Sequence, residues 1–198
     1  MTIAILAVLF VGVIVGTVLA SAIDLATADF AVTAGLAVLL FLVGIDLGRN
    51  KKLLQYMRTM GSRVIAVPVA IGVGSIAGAW VAGLPLGMAG HESAAVGAGF
   101  GWYSLSGVIL AEFDTQLGAT AFLCNVIREL IAIVCIPFLA VRLGHLYTLA
   151  PAGATAMDTT LPIVTKATST EMAVMSFISG AVLSTAVPFL VPVIYGLG

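Results

Sequence analysis

Charge is what this chain lacks. Only 9% of its 198 residues are Asp, Glu, Lys or Arg, against about 25% in a water-soluble domain. Eight basic and nine acidic residues leave a net charge of −1, and no Lys/Arg cluster is interleaved with aromatics, so nucleic acid is not an expected partner. The two cysteines, Cys124 and Cys135, fall in one apolar stretch about 16 Å apart along a helix, too far for a disulfide between them. Histidine is equally sparse: His91 and His145 are isolated, which gives no metal-ligand pattern, and no cofactor is expected. Ser104-Leu105-Ser106-Gly107 lacks a Gly-x-Ser-x-Gly elbow and has no histidine at membrane depth to act as base, so the chain does not read as a hydrolase or any other enzyme.

What is there is apolar surface. Hydrophobic residues make up 61% of the chain and the mean hydropathy is +1.21, the composition of an all-α integral membrane protein. At about 20 apolar residues per span, residues 1–198 hold about five to seven membrane segments in a single transport-sized domain. The first expected span is Ile3–Ile23, with Gly12, Gly16 and Ala20 on one small-residue face that lets another helix approach closely. Ala20-Ser21-Ala22 resembles a signal cleavage site, but no basic residue precedes the apolar run and the run is long, so a retained span is expected. Asp24 and Asp29 bracket a turn, and a second span runs from Phe30 to about Leu47, where Asp46 adjoins the basic stretch. Residues 49–63 carry Arg49, Lys51, Lys52, Arg58 and Arg63, five of the eight basic residues. The positive-inside rule places them in the cytoplasm, which sets the N-terminus inside and the C-terminus outside. A third span, Val64–Leu84, has a second small-residue face at Gly74 and Gly78 and tolerates Pro68 near its start.

Regularity then breaks down. Residues 85–114 combine Gly97-Ala98-Gly99-Phe100-Gly101 with Trp102-Tyr103-Ser104-Leu105-Ser106-Gly107. Such glycine density weakens a continuous helix, while Tyr103, Ser104 and Ser106 supply groups that satisfy freed backbone. Residues 115–142 read as one long helix carrying Asn125, Arg128 and Glu129 inside it. The stretch Pro151–Pro162 is a second interruption, and Met172–Gly198 is a final uncharged span. The expected architecture is five transmembrane helices plus two re-entrant or broken-helix segments arranged as an inverted repeat, with seven full spans as the alternative. The re-entrant arrangement keeps Arg142, His145 and Lys166 on the cytoplasmic side, as the charge rule prefers.

An ionised residue at mid-membrane costs about 3 kcal/mol or more, so it faces a partner or a water-filled cavity. Glu112, Asp114, Arg128, Glu129 and Asp158 are the candidates. Asn125 shares a helix face with Arg128 and with Glu129 by its three- and four-residue spacing. A purely structural reading pairs Arg128 with Glu112 or Glu129. Asp158 sits in a Gly/Thr/Pro-interrupted segment, where unwound backbone is expected to line a cavity. Two interruptions, each next to a long helix and entering from opposite sides, form the pattern of a secondary transporter. Half-helix N-termini offer free N–H groups to an anion, and carboxylates hold cations. A channel or a non-transporting membrane subunit are the rival readings.

Three motifs, Gly101–Gly107, Asn125-Val126-Ile127-Arg128-Glu129-Leu130 with Pro137 after it, and Gly153-Ala154-Thr155-Ala156-Met157-Asp158-Thr159-Thr160-Leu161-Pro162, together resemble the lysine exporter (LysO) family of prokaryotic inner membranes. Their order and spacing match from about residue 40 to the C-terminus. The resemblance implies efflux of L-lysine, with the toxic analogue thialysine as a further cargo, and implies that Asp158 is needed for it. Longer family members carry additional N-terminal spans, so this chain is expected to act as a short form, as a homo-oligomer or with a partner chain in the lipid bilayer. For such a cargo, Asp158 and Glu112 are expected to face the ammonium groups. Arg128, or the half-helix N–H groups near Ser104 and Thr155, would meet the carboxylate, with Tyr103, Ser106 and Asn125 completing the substrate site. Glu129, together with Asp158, is the candidate for a coupling proton, because burial disfavours an ionised carboxylate. Alternating-access proton antiport follows, and sodium coupling stays open.

Overall fold

The computed structural model describes residues 61–198, preceded by the isolated helical positions Ala34, Val38 and Ile45. The expected spans Ile3–Ile23 and Phe30–Leu47, their small-residue face, Asp24, Asp29, Asp46 and the basic stretch before Gly61 lie outside the described residues. The chain divides into two units, Met1–Arg49 and Asn50–Gly198, and the account below concerns the second. Every regular element among the described residues is helical. In order they are α1 (Arg63–Gly83), α2 (Gly90–Gly97), α3 (Tyr103–Ala111), α4 (Thr115–Arg142), the single turn α5 (Leu149–Ala152), α6 (Leu161–Ala167) and α7 (Thr170–Tyr195), with short 3₁₀ turns at Leu84–Leu86, His145–Thr148 and Gly153–Met157. Among the described residues, three stretches are long and apolar enough to cross a membrane: Ile65–Leu86, Thr115–Arg142 and Met172–Tyr195.

α4 shows which solvent this fold is built for. Its buried residues, Leu117, Gly118, Ala121, Asn125, Glu129, Ala132, Ile136 and Ala140, recur every three or four positions and so form one face. That inner face carries the polar groups, whereas the outer face exposes Ile127, Leu130, Ile131, Val134, Phe138 and Val141. A water-soluble helix has the opposite polarity; an apolar outer face fits lipid. The start of α4 is set by Asp114, whose side chain accepts a hydrogen bond of 2.7 Å from the Leu117 amide. Ser169 likewise caps α7 through the Met172 amide at 3.3 Å. Pro68, Pro137, Pro188 and Pro192 all sit within helices, a placement that membrane helices tolerate because neighbours satisfy the freed carbonyls.

The first interrupted segment enters and leaves by the same end of the long helices. α2 runs back along α1, with Gly83 against Ser93, Gly90 against Trp80 and Gly97 against Ser75 and Ala79. α3 then returns along α4, with Tyr103 edge-on to Phe122 at 5.4 Å and Gly118 packed on Ala111. Both its outer ends meet Tyr195 at the close of α7, through His91 at 5.6 Å and Phe113 at 4.5 Å. Between them the chain reverses at Phe100 and Gly101, whose φ angles are 51° and 101°.

The second segment does the same from the opposite end. It leaves α4 after Arg142, reaches the level of Arg128, and returns through α6 to the start of α7. Fourteen residues of α4 separate those two arginines, about 21 Å at the helical rise, well into a hydrocarbon layer of about 30 Å. α7 supports the tip: Ser176 donates to the Ala156 carbonyl at 2.8 Å, and Gly180 lies directly on the Met157 amide and the Ala154 carbonyl. This is the hairpin geometry that the re-entrant reading requires of residues 85–114 and 150–170.

Candidate functional site

The two breaks touch. The Ala154 amide donates to the Phe100 carbonyl at 2.8 Å, so the reversal of one segment caps the reversal of the other. Gly153 makes this approach, with φ 58° and ψ −127°, a conformation rarely open to a residue with a Cβ. A Cβ there would also collide with the Phe100 carbonyl and lie 2.8 Å from Arg128 Nη2.

Asn125 holds the first break together. Its Oδ1 accepts from the Gly101 amide at 2.7 Å, and the two hydrogens of its Nδ2 are shared among the Val96 carbonyl at 3.2 Å, the Ser106 hydroxyl at 3.3 Å and the Ala121 carbonyl at 2.9 Å. One amide therefore joins the end of α2, the reversal and α3 to the middle of α4. Ser106, fully buried, turns its own hydroxyl to the Trp102 carbonyl at 2.9 Å. In the second break Thr155 donates to the Ala152 carbonyl at 2.8 Å, and Thr160 donates back to the Thr155 carbonyl at 2.9 Å. These residues close backbone groups that the interrupted helices leave open.

Arg128 and Glu129 are consecutive, so their side chains diverge by about 100° around α4. Arg128 donates to Ser75 Oγ at 2.6 Å, the Ala150 carbonyl at 3.1 Å and the Pro151 carbonyl at 3.2 Å. All three acceptors are neutral, so the ion pair with Glu112 or Glu129 is not among its hydrogen bonds. Glu129 is 9% exposed and stands within electrostatic reach of Asp158, as does Tyr103 of both acids. Asp158 accepts from the Thr159 amide at 2.5 Å and is itself exposed, whereas Glu129 is buried. Tyr103, Glu129 and Asp158 are thus near enough to one another for their charges to interact.

Glu112 is not among them. It follows the last turn of α3, nine residues from Tyr103 and so about 13 Å away along the helix, exposed at the turn into α4. Ser104 is exposed beside the reversal. Sequence reasoning passed over two members of the arrangement, Ser75 and Thr159. Ser75 had a signal, a hydroxyl in the middle of the apolar, glycine-rich helix α1; Thr159 was visible only as part of a threonine-rich run. A cavity of about 220 Å³ opens between α1, α2 and α4, lined among others by Ser75, Ser93, Cys124, Asn125 and Arg128. Neither acid lines it.

An apolar outer face, three membrane-length helices among the described residues and two broken segments joined at their tips around the bonds of Asn125 and Arg128 define a multi-pass α-helical membrane protein with a polar centre. The comparison with known families makes this specific: the model of the family described as lysine exporter LysO matches residues 6–195, and the chain belongs to that family. It is 38% identical over 160 residues to the lysine exporter LysO of Escherichia coli (strain K12), covering 79% of this chain and 52% of that protein. It is 30% identical over 156 residues to a putative lysine exporter of Haemophilus influenzae, covering 78% of this chain and 79% of that one. The chain therefore spans about half the length of its Escherichia coli relative. No solved structure matches it.

Proposed function

We propose that this chain forms an export unit for L-lysine, with thialysine as a second cargo, in the cytoplasmic membrane of a prokaryote. The observation that carries the reading is the junction of two broken segments, where the Ala154 amide meets the Phe100 carbonyl, with the acids Glu129 and Asp158 within electrostatic reach of each other and of Tyr103. Two carboxyls side by side repel when both are ionised, and a cation between them removes that cost. At about 4 Å and an effective dielectric of about 20, one ammonium–carboxylate contact contributes about 4 kcal/mol before desolvation. An ammonium group of lysine is such a cation. Asp158, the exposed member, meets it first, and Tyr103 and Thr159 supply further polar contacts. Backbone N–H groups and hydroxyls at the breaks, near Ser104 and Thr155, receive the carboxylate.

The same pair supports proton coupling. Glu129, the buried acid of the two, gives up its proton when the ammonium arrives and regains it when the cargo leaves, which makes the cycle an antiport. The hairpin geometry of both segments supports an inverted-repeat transporter that alternates access around their junction. The family match and the names of both relatives support lysine as cargo.

Reconstituted protein tests this directly. Vesicles loaded with unlabelled lysine should accumulate labelled lysine by saturable counterflow, and a pH jump should drive net movement. Glu129→Gln should retain counterflow while losing the response to the pH jump. Conductance without saturation, or a pH response that survives in Glu129→Gln, would remove the antiport reading.

A further inference from the structure

α4 grips the second broken segment through Arg128, which holds the incoming side at the carbonyls of Ala150 and Pro151; the next residue, Glu129, stands within electrostatic reach of Asp158 on the outgoing side. Between Pro151 and Asp158 lie Gly153, whose backbone suits only glycine, and a 3₁₀ turn pinned to α7 through Ser176 and Gly180. We infer that Arg128 is a positioning residue: its bonds to Ser75, Ala150 and Pro151 fix where Asp158 stands relative to Glu129, and through that spacing set the affinity for the ammonium cargo. It does not touch the substrate. The inference rests on the proposed role of Asp158 and Glu129.

Several observations converge on this role. The carbonyls of Ala150 and Pro151 end the short helix α5, where unpaired acceptors and the negative end of the helix dipole favour a cation. Three of the five guanidinium N–H groups are committed to fixed acceptors, two of them main-chain. Ser75 is itself held, donating to the Gly97 carbonyl at 2.8 Å, so Arg128 is tied through it to the end of α2. The guanidinium also packs on Gly153, with Nη2 placed where a Cβ would be excluded. A planar fork reaches all three acceptors together. A lysine has the charge but a single nitrogen, so Arg128→Lys keeps the electrostatics while loosening the grip.

The experiment compares lysine with its decarboxylated diamine, cadaverine, in counterflow on Arg128→Lys, Ser75→Ala and the double variant. A positioning residue raises KM for both compounds by a similar factor, on the order of tenfold for Arg128→Lys as fork contacts are lost. Ser75→Ala raises both by a smaller factor, and the double variant is no worse than Arg128→Lys alone because one tie is shared. A higher KM for lysine with cadaverine unaffected would make Arg128 the carboxylate ligand and overturn the inference. So would unchanged KM values with only less folded protein recovered. A second measurement needs no transport: in a background of Cys124→Ala and Cys135→Ala, oxidative cross-linking of Glu129→Cys to Asp158→Cys should slow several-fold when Arg128→Lys is added. An unchanged cross-linking rate sinks the positioning role. Loss of lysine counterflow in the wild-type protein, with cross-linking still sensitive to Arg128, sinks the exporter reading alone.

Discussion

Asn125→Ala is the substitution with the clearest structural consequence, and its cost can be worked from two sides. The side chain is 3% exposed and makes three bonds beyond its own helix, to Gly101, Val96 and Ser106. Interhelical hydrogen bonds measured within membranes average about 0.6 kcal/mol, which gives about 2 kcal/mol for the set. That average applies where freed groups find other partners. The Gly101 amide sits in a left-handed reversal inside the core, and an orphaned buried donor costs about 1–3 kcal/mol by itself. The expected loss is therefore about 2–4 kcal/mol. Thermal unfolding of the purified protein in detergent should show it as a lower midpoint. Asn125→Asp should fall between the two, since a protonated acid keeps an acceptor for Gly101 and one donor. Counterflow by whatever Asn125→Ala protein remains folded should show a reduced maximal rate with KM for lysine changed less than about threefold, because the amide is consumed by backbone. An unaltered midpoint, or a KM raised tenfold with stability intact, would refute this account and return Asn125 to the cargo.

Asp158→Asn should insert and fold normally yet abolish lysine counterflow; wild-type exchange rates in that variant would remove Asp158 from the site. Glu112→Gln should stay within about twofold of wild type in both rate and KM, since Glu112 stands about 13 Å along α3 from Tyr103; a large loss would mean that it reaches the cargo in another conformation. Gly153→Ala should destabilise by about 3 kcal/mol or more, combining a left-handed backbone penalty of about 1–2 kcal/mol with displacement of the Phe100 carbonyl and loss of the bond from the Ala154 amide. Its thermal midpoint checks this, and wild-type stability would show that the junction is looser than the described packing.

The broken segments were legible in the sequence because their causes are local. Glycines at 97, 99 and 101 cannot sustain a helix on their own, and Pro151 and Pro162 bound a run of small and hydroxylated residues. Charge placement and hydropathy gave the spans Val64–Leu84 and 115–142, which the structure places at Arg63–Gly83 and Thr115–Arg142. The partners across the centre were not legible. Helical spacing puts Asn125, Arg128 and Glu129 on neighbouring faces but does not say which face meets which break. Arg128 is nearer in sequence to Glu112 than to Ser75, yet Ser75 accepts its bond from 53 positions away. Glu112 illustrates the converse: an acid in an apolar sequence reads as intramembrane until α3 is seen to have room for only nine residues before it turns. Pairings of this kind depend on how the helices stack, which a one-dimensional pattern leaves open.

Adjacency of Arg128 and Glu129 has a consequence that a spacing of three or four would not. At i,i+4 the two charges would meet on one face and cancel, leaving neither for the breaks. As neighbours they point apart, the cation toward the carbonyls of Ala150 and Pro151 and the acid to another side of α4, within electrostatic reach of Asp158. Backbone carbonyls attract the guanidinium without neutralising it, and none of Arg128's described hydrogen bonds goes to Glu129 or Asp158. Under the function proposed above, the acids are thereby left to the ammonium group of the cargo, and the arginine that holds the second break in shape does not compete for them.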